Sequence, residues 1–170
     1  MSQTYTSSGT SINRKNLPAV YGKVTITTPF VFDYGCGKYI AHIRNHCTEQ
    51  NAYYLPYDPY NQPKSANDGV LAMLNQCAEL HKPVTVICSN VLNVIDSDHE
   101  LTIIARNIRN IVRTTGGIGY VTVYEGNRTG VGRATGTDQY QRNEPLRSYL
   151  KYFQNAEIHN GMIIVKGDAK

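Results

Sequence analysis

The chain has 170 residues, 41% of them hydrophobic and 18% charged, with a net charge of +4. This size and composition fit one globular domain with a sizeable core and exclude a disordered chain. No apolar run approaches the ~20 residues that a membrane helix needs, and no basic segment followed by an apolar one opens the chain, so a cytoplasmic protein without a membrane partner is expected. Four cysteines (Cys36, Cys47, Cys77 and Cys88) lie without close pairing and are expected to be buried thiols. Eight Lys or Arg between Arg106 and Lys151, against Glu125, Asp138 and Glu144, permit an anionic partner without demanding one.

Residues 1–16 are rich in Ser, Thr, Asn and Gln and read as an arm that docks over the site, with residues 10–13 as its cover. The arm is taken to extend to residue 29, with a single domain over 30–170. Phe30-Val31-Phe32 is a buried first strand, ending at the glycine loop Asp33-Tyr34-Gly35-Cys36-Gly37. Helical spacing follows over 39–50. Residues 52–57 form a second strand, placed at an edge or bulge by Pro56. A helix capped by Ser65 or Asn67 runs to Pro83 with Val70, Leu74 and Cys77 on one face. The third strand, 84–88, stops at Ser89-Asn90. Ser97-Asp98-His99-Glu100 fits a capping box for a helix that ends at Gly116-Gly117. A fourth strand over 120–125, a Gly, Arg and Thr loop over 126–142 and a short helix over 144–153 behind Pro145 come next. Asn160-Gly161 between two β-type runs marks a closing hairpin.

Strands alternating with helices predict an α/β fold, a three-layer Rossmann-like sandwich whose mostly parallel sheet carries an antiparallel C-terminal hairpin strand. In such sheets a ligand sits beyond the carboxyl ends of the strands. Residues 33–38, 58–61, 89–93 and 125–142 are therefore expected to converge on one crevice. The glycines at 35 and 37 allow close backbone approach, but Ile40 stands where a dinucleotide fingerprint needs its third glycine. Asp33 suits a cationic amine better than a pyrophosphate. Asp58 has two readings: an acceptor for ribose hydroxyls, or a turn aspartate before Pro59. His42, His46 and Cys47 lack the further ligands of a zinc site, so no metal is expected.

Residues 30–37, the acidic end of the second strand at Asp58, the segment Val86-Ile87-Cys88-Ser89-Asn90-Val91-Leu92-Asn93-Val94-Ile95 and the terminal hairpin together resemble the class I S-adenosylmethionine-dependent methyltransferases. Tyr57–Asn61, Ser89–Ile95 and Gly136–Gln141 look closest to small phage and prophage members. The resemblance implies S-adenosyl-L-methionine as cofactor. It implies that Asp33, Gly35, Cys36, Gly37 and Lys38 surround the methionine part, that Asp58 and Pro59 meet the ribose, and that Ser89 and Asn90 lie beside the sulfonium. The family's third loop glycine is replaced here by Tyr39.

Asn93, Glu125, Arg133, Tyr140 and Gln141 are expected to bind a methyl acceptor, either a small molecule or a nucleic acid, with the 126–142 loop as lid and Glu125 as the acidic group available as a base. No catalytic residue is assigned. The leading expectation is a methyltransferase. The alternative is a catalytically silent cofactor-binding or protein-interaction module on the same fold.

Overall fold

The computed structural model describes residues 4–7 and 16–167. Its strands and helices follow one another as β1 (Phe30–Tyr34), α1 (Ala41–Glu49), β2 (Tyr53–Tyr57), α2 (Lys64–Glu79), β3 (Val84–Ser89), α3 (Asp98–Thr115), β4 (Ile118–Thr122), β5 (Arg133–Gly136), β6 (Gln139–Gln141), α4 (Leu146–Tyr149), β7 (Glu157–His159) and β8 (Met162–Lys166).

Six strands form one sheet in the order β2-β1-β3-β4-β8-β7. The first four are parallel, Phe32 standing opposite Leu55 on one side and Val86 on the other. β8 runs antiparallel between β4 and β7. β1 and β3 lie inside the sheet, and residues 31–33 and 84–88 are buried, as strands covered on both faces must be. Alternate residues of the same strands feed two cores. Phe32, Leu55, Val86 and Val165 pack with Val70 and Leu74 of α2 and Leu101, Ile104 and Ile108 of α3. Val31, Tyr54, Ile87 and Ile164 pack with Ile43 and Cys47 of α1 and with Val20, Tyr21, Val24 and Ile26. The segment from Val20 to Ile26 thus belongs to the core, and the arm expected over 1–29 ends before it. Residues 10–13 lie outside the described residues.

Local signals place most elements. Pro56 lies in β2, which pairs with β1 alone at the sheet edge. The Ser97 hydroxyl accepts the Glu100 N–H at 3.3 Å at the start of α3, and Gly116 ends that helix with φ +68°. Asn160 and Gly161 turn the β7–β8 hairpin with φ of +50° and +71°.

Four boundaries differ from expectation. α2 starts at Lys64 behind Pro63, whose missing N–H is no loss at a helix start, and Asn67 is a buried helix residue rather than a cap. β4 ends at Thr122. The loop 126–142 contains the β5–β6 hairpin. The expected helix over 144–153 is a four-residue turn followed by a 3-10 turn over Leu150–Tyr152. Among the described residues no helix is long and apolar enough to cross a membrane.

Two glycines make opposite demands. A Cβ at Gly117 would lie 1.9 Å from the Val84 carbonyl oxygen, where β4 enters the sheet beside β3, whereas a Cβ at Gly69 inside α2 meets nothing within 4 Å. Urea unfolding is expected to show Gly117→Ala destabilised by about 2–4 kcal/mol and Gly69→Ala stabilised by about 0.5–1 kcal/mol. Equal effects of the two would contradict the sheet packing.

Candidate functional site

A cavity of about 890 Å³ opens beyond the carboxyl ends of β1, β2 and β3 and reaches Tyr124 just past β4. Its wall includes Asp33, Gly35, Cys36 and Gly37 from the first loop and Asp58, Pro59 and Asn61 after β2. Ser89, Asn90 and Asn93 follow β3. Arg133, Tyr140 and Gln141 of the β5–β6 hairpin complete it, with Thr6 and Ser7 beside them. The expected convergence of these strand ends is present. Lys38 and Glu125 are not part of this wall.

The first loop is shaped by backbone needs. Gly35 and Gly37 hold φ of +80° and +72°, and a Cβ at Gly35 would fall 2.3 Å from a methyl of Val91. The Gly35 N–H donates to the Tyr57 carbonyl at 2.7 Å, joining this loop to the end of β2.

Asp33, one residue before the end of β1, is only 3% exposed. One oxygen, Oδ2, accepts from the Tyr21 hydroxyl at 2.9 Å and the Tyr54 hydroxyl at 2.7 Å. Oδ1 takes no hydrogen bond among the described residues. Burial pushes the carboxyl up to about 6, against the pull of the two tyrosine hydroxyls. The tyrosines were not anticipated, although Tyr54 could have been. It faces Val31 across the β1–β2 ladder and so shares a sheet face with Asp33. Beside them the Cys36 thiol is held above its usual range by burial and by the charges of Asp33 and Asp58, so it remains protonated at neutral pH.

Asp58 is not free for a ribose. Its Oδ1 accepts the N–H groups of Tyr60 and Asn61, both at 2.9 Å. Its Oδ2 accepts the Gly37 N–H at 3.0 Å and the Asn61 side-chain amide at 3.2 Å. Four donors fill the roughly four acceptor positions of a carboxylate. The Asp58 backbone is gripped in turn by the buried Asn67, which accepts its N–H at 3.1 Å and donates to its carbonyl at 2.9 Å. The ribose assignment is therefore corrected: Asp58 is an internal brace that joins the first loop, the β2 turn and α2.

The acceptor-side residues divide in the same way. Asn93 donates to the Gln141 side chain at 3.1 Å, and Gln141 donates to the Tyr124 carbonyl at 3.0 Å. Both amides thus hold the hairpin against the turn after β3, and each keeps a further amide N–H outside these bonds. Arg142, buried to 8% exposure, anchors the same hairpin through Asp98, Glu144 and the Ile95 carbonyl; it was not foreseen. Glu125 turns away from the cavity, accepting the Leu146 N–H at 2.6 Å and pairing with Arg128. Its carboxyl is held below the usual range by those donors, which does not suit a base. The Arg133 side chain makes no ion pair or hydrogen bond among the described residues, while its backbone pairs with Gln141 in the hairpin. Tyr140 stacks on Tyr5 with ring centroids 5.5 Å apart. Residues 4–7 are pinned beside the cavity, with Thr6 and Ser7 donating backbone N–H groups to Asp138 at 2.8 and 2.9 Å. Ser89 accepts from the Thr122 hydroxyl at 3.1 Å, and Asn90 is exposed with φ +56°.

Among the described residues no group of three or more His, Cys, Asp and Glu is placed to hold a metal ion. Comparison with protein-family models, with curated proteins and with solved structures finds no match.

Because folding raises the Asp33 pKa from 3.8 to about 6, its carboxyl keeps a proton that the unfolded chain has lost. That stabilisation is full below about pH 4 and is lost as pH rises through about 6, a change on the order of 3 kcal/mol. Asp33→Asn keeps an oxygen for the two tyrosines and removes the charge. Chemical unfolding is expected to find it more stable than the parent by up to about 3 kcal/mol at pH 7.5, the two converging towards pH 4. A difference that does not change with pH would contradict a buried, ionising Asp33.

Proposed function

We propose that the crevice binds S-adenosyl-L-methionine and that the protein transfers its methyl group to an acceptor in the cytoplasm. The two cores on alternate strand residues support reading the α/β sheet as a three-layer Rossmann-like sandwich. The antiparallel β8, lying between β4 and β7, agrees with the last strand of the class I methyltransferases that the sequence resembles.

The single observation that carries the reading is the Asp33 carboxylate. One of its oxygens is locked by two tyrosines and the other is unbonded among the described residues, in the wall of the cavity and next to two left-handed glycines. A buried acid of this kind pairs with an ammonium group, whose charge favours its ionised form. A dinucleotide pyrophosphate would be repelled there. When bound, the cofactor supplies an electrophilic methyl on sulfur. The chain's part is to hold the amino-acid end through Asp33 and the first loop and to place the acceptor in line, and such positioning can account for several kcal/mol of the barrier. Tyr34 and Tyr57, with ring centroids 5.3 Å apart, add aromatic surface to the same cavity.

The Arg133 side chain at the cavity, without a partner among the described residues, fits an acceptor that carries an anionic group, whether nucleotide or small acid. The engagement of Glu125 by Leu146 and Arg128 favours the second reading, a cofactor-binding module without chemistry of its own, since it removes the acid expected as a base. Labelled methyl transfer to nucleic acid, protein and small-molecule fractions separates the two readings.

The ammonium needs an ionised partner, so binding is linked to the proton on Asp33. Calorimetric titration of the parent is expected to show affinity for S-adenosylmethionine falling about tenfold from pH 7 to pH 5. Asp33→Asn is expected to bind more weakly at both values and with little pH dependence. Parent affinity that does not change across this range would contradict the Asp33 assignment.

A further inference from the structure

An exposed face of α3 carries a row of charge that the crevice does not use. Arg106, Arg109 and Arg113 fall at i, i+3 and i+7, so they share one side of the helix. With Lys166 of β8 and the amides of Asn107 and Asn110 they line a groove of about 480 Å³, and no Asp or Glu among the described residues contributes to it. A helix face that serves only solubility mixes its charges, with acids four residues from bases. From Leu101 to Thr115, α3 has three arginines and no acid. The helix dipole accounts for Arg113 in the last turn but not for Arg106 or Arg109. Arg106 is exposed, and its side chain makes no ion pair or hydrogen bond among the described residues. Arg109 donates to the Gln154 side chain and Arg113 to the Asn110 side chain, both neutral partners at 2.9 Å. Of the four cations, Lys166 alone pairs with an acid, Glu157, among the described residues.

This groove joins the crevice. Asn107 lies in the wall of both, and Ile103 and Ile104, one turn earlier in α3, line the crevice. Arg106 and Arg113 are separated by about 10 Å of helix axis at 1.5 Å per residue, which is too far for one phosphate to meet both. At the crevice, Tyr124 is 64% exposed and offers an aromatic face to a base. A basic groove beside an aromatic platform is the way single strands are held, whereas a duplex keeps its bases out of a cavity.

We propose that the α3 groove binds the phosphate backbone of a single-stranded nucleic acid and leads one of its bases into the crevice. This names the acceptor class for the methyl-transfer reading and rests on that reading for the fate of the base. Strand binding itself needs no cofactor.

The test uses the full chain without cofactor and a fluorescein-labelled oligothymidylate of about 15 nucleotides, titrated by fluorescence anisotropy from about 50 to 200 mM salt. The parent is expected to bind, with an affinity that falls steeply as salt rises. Arg106→Gln and Arg113→Gln are each expected to weaken binding about threefold and to make the log–log salt slope shallower by about 0.7, the share of one phosphate contact on a single strand. The double variant is expected to lose about tenfold and about 1.4 in slope. Arg44→Gln removes the same charge from the exposed side of α1, which packs in the other core, and is expected to bind as the parent does. A parent that does not bind the oligonucleotide at the lowest salt overturns the groove assignment and leaves the cofactor reading standing. So do arginine variants that keep the parent's affinity and slope, or an Arg44→Gln loss as large as theirs. Phosphatidylserine vesicles bound in place of the oligonucleotide would assign the face to a membrane and overturn it as well. Oligonucleotide binding that follows this pattern while no fraction accepts a methyl group supports the groove and removes the methyl-transfer reading.

Discussion

The carboxylate of Asp58 is the constraint on which the crevice depends. Four hydrogen bonds converge on it from Gly37, Tyr60 and Asn61, while Asn67 holds its backbone from α2. A loop of left-handed glycines after β1 has little stiffness of its own, since glycine has the most backbone freedom to lose. Tying Gly37 to the end of β2 supplies that stiffness, and the Gly35 N–H bond to the Tyr57 carbonyl supports it. Hydrogen bonds to a charged group are among the stronger ones, and three of the four here come from backbone N–H groups that the fold holds in place. Asp33 lines the same cavity, whose near wall is the braced loop.

The opposite wall is built on the same logic with neutral groups. Asn93 and Gln141 bond to each other and to Tyr124, and Arg142 reaches Asp98, Glu144 and the Ile95 carbonyl. These residues convert a polar segment with little apolar content into a hairpin fixed over the strand ends. Asp33 stands apart from this pattern of satisfied groups. Its burial raises its pKa to about 6, which is a local instability at neutral pH. Stored cost of that kind is relieved by a cationic ligand, which ties the least comfortable group in the structure to the proposed function.

Much of the fold was legible because its signals are local. Phe30-Val31-Phe32, the Ser97–Glu100 capping box, Gly116 and Asn160-Gly161 each act through neighbours within a few residues, and the structure places each where the sequence puts it. The β5–β6 hairpin was not legible. Arg133–Gly136 is exposed at every position and shows no apolar alternation, and Asn93 and the Ile95 carbonyl, which help to hold the hairpin, lie 48 and 47 residues from their partners. The site was legible as a set of strand ends but not as a set of roles. The turn reading of Asp58 described its bonds to Tyr60 and Asn61, as an Asx turn would, but its bond to Gly37 spans 21 residues. Asn93, Gln141 and Glu125 carry polar groups that sequence alone cannot assign to ligand or to fold, because that depends on which partner the fold brings near.

The most direct test of this account is a crystal structure of the protein with S-adenosylhomocysteine. The account predicts the ligand in the crevice beyond β1, β2 and β3. Its amino group should lie about 2.7–3.2 Å from the oxygen of Asp33 that the two tyrosines leave unbonded. Asp58 should still hold Gly37, Tyr60 and Asn61. A ligand bound elsewhere, or an Asp58 carboxylate that releases those groups to take the ribose, would contradict it.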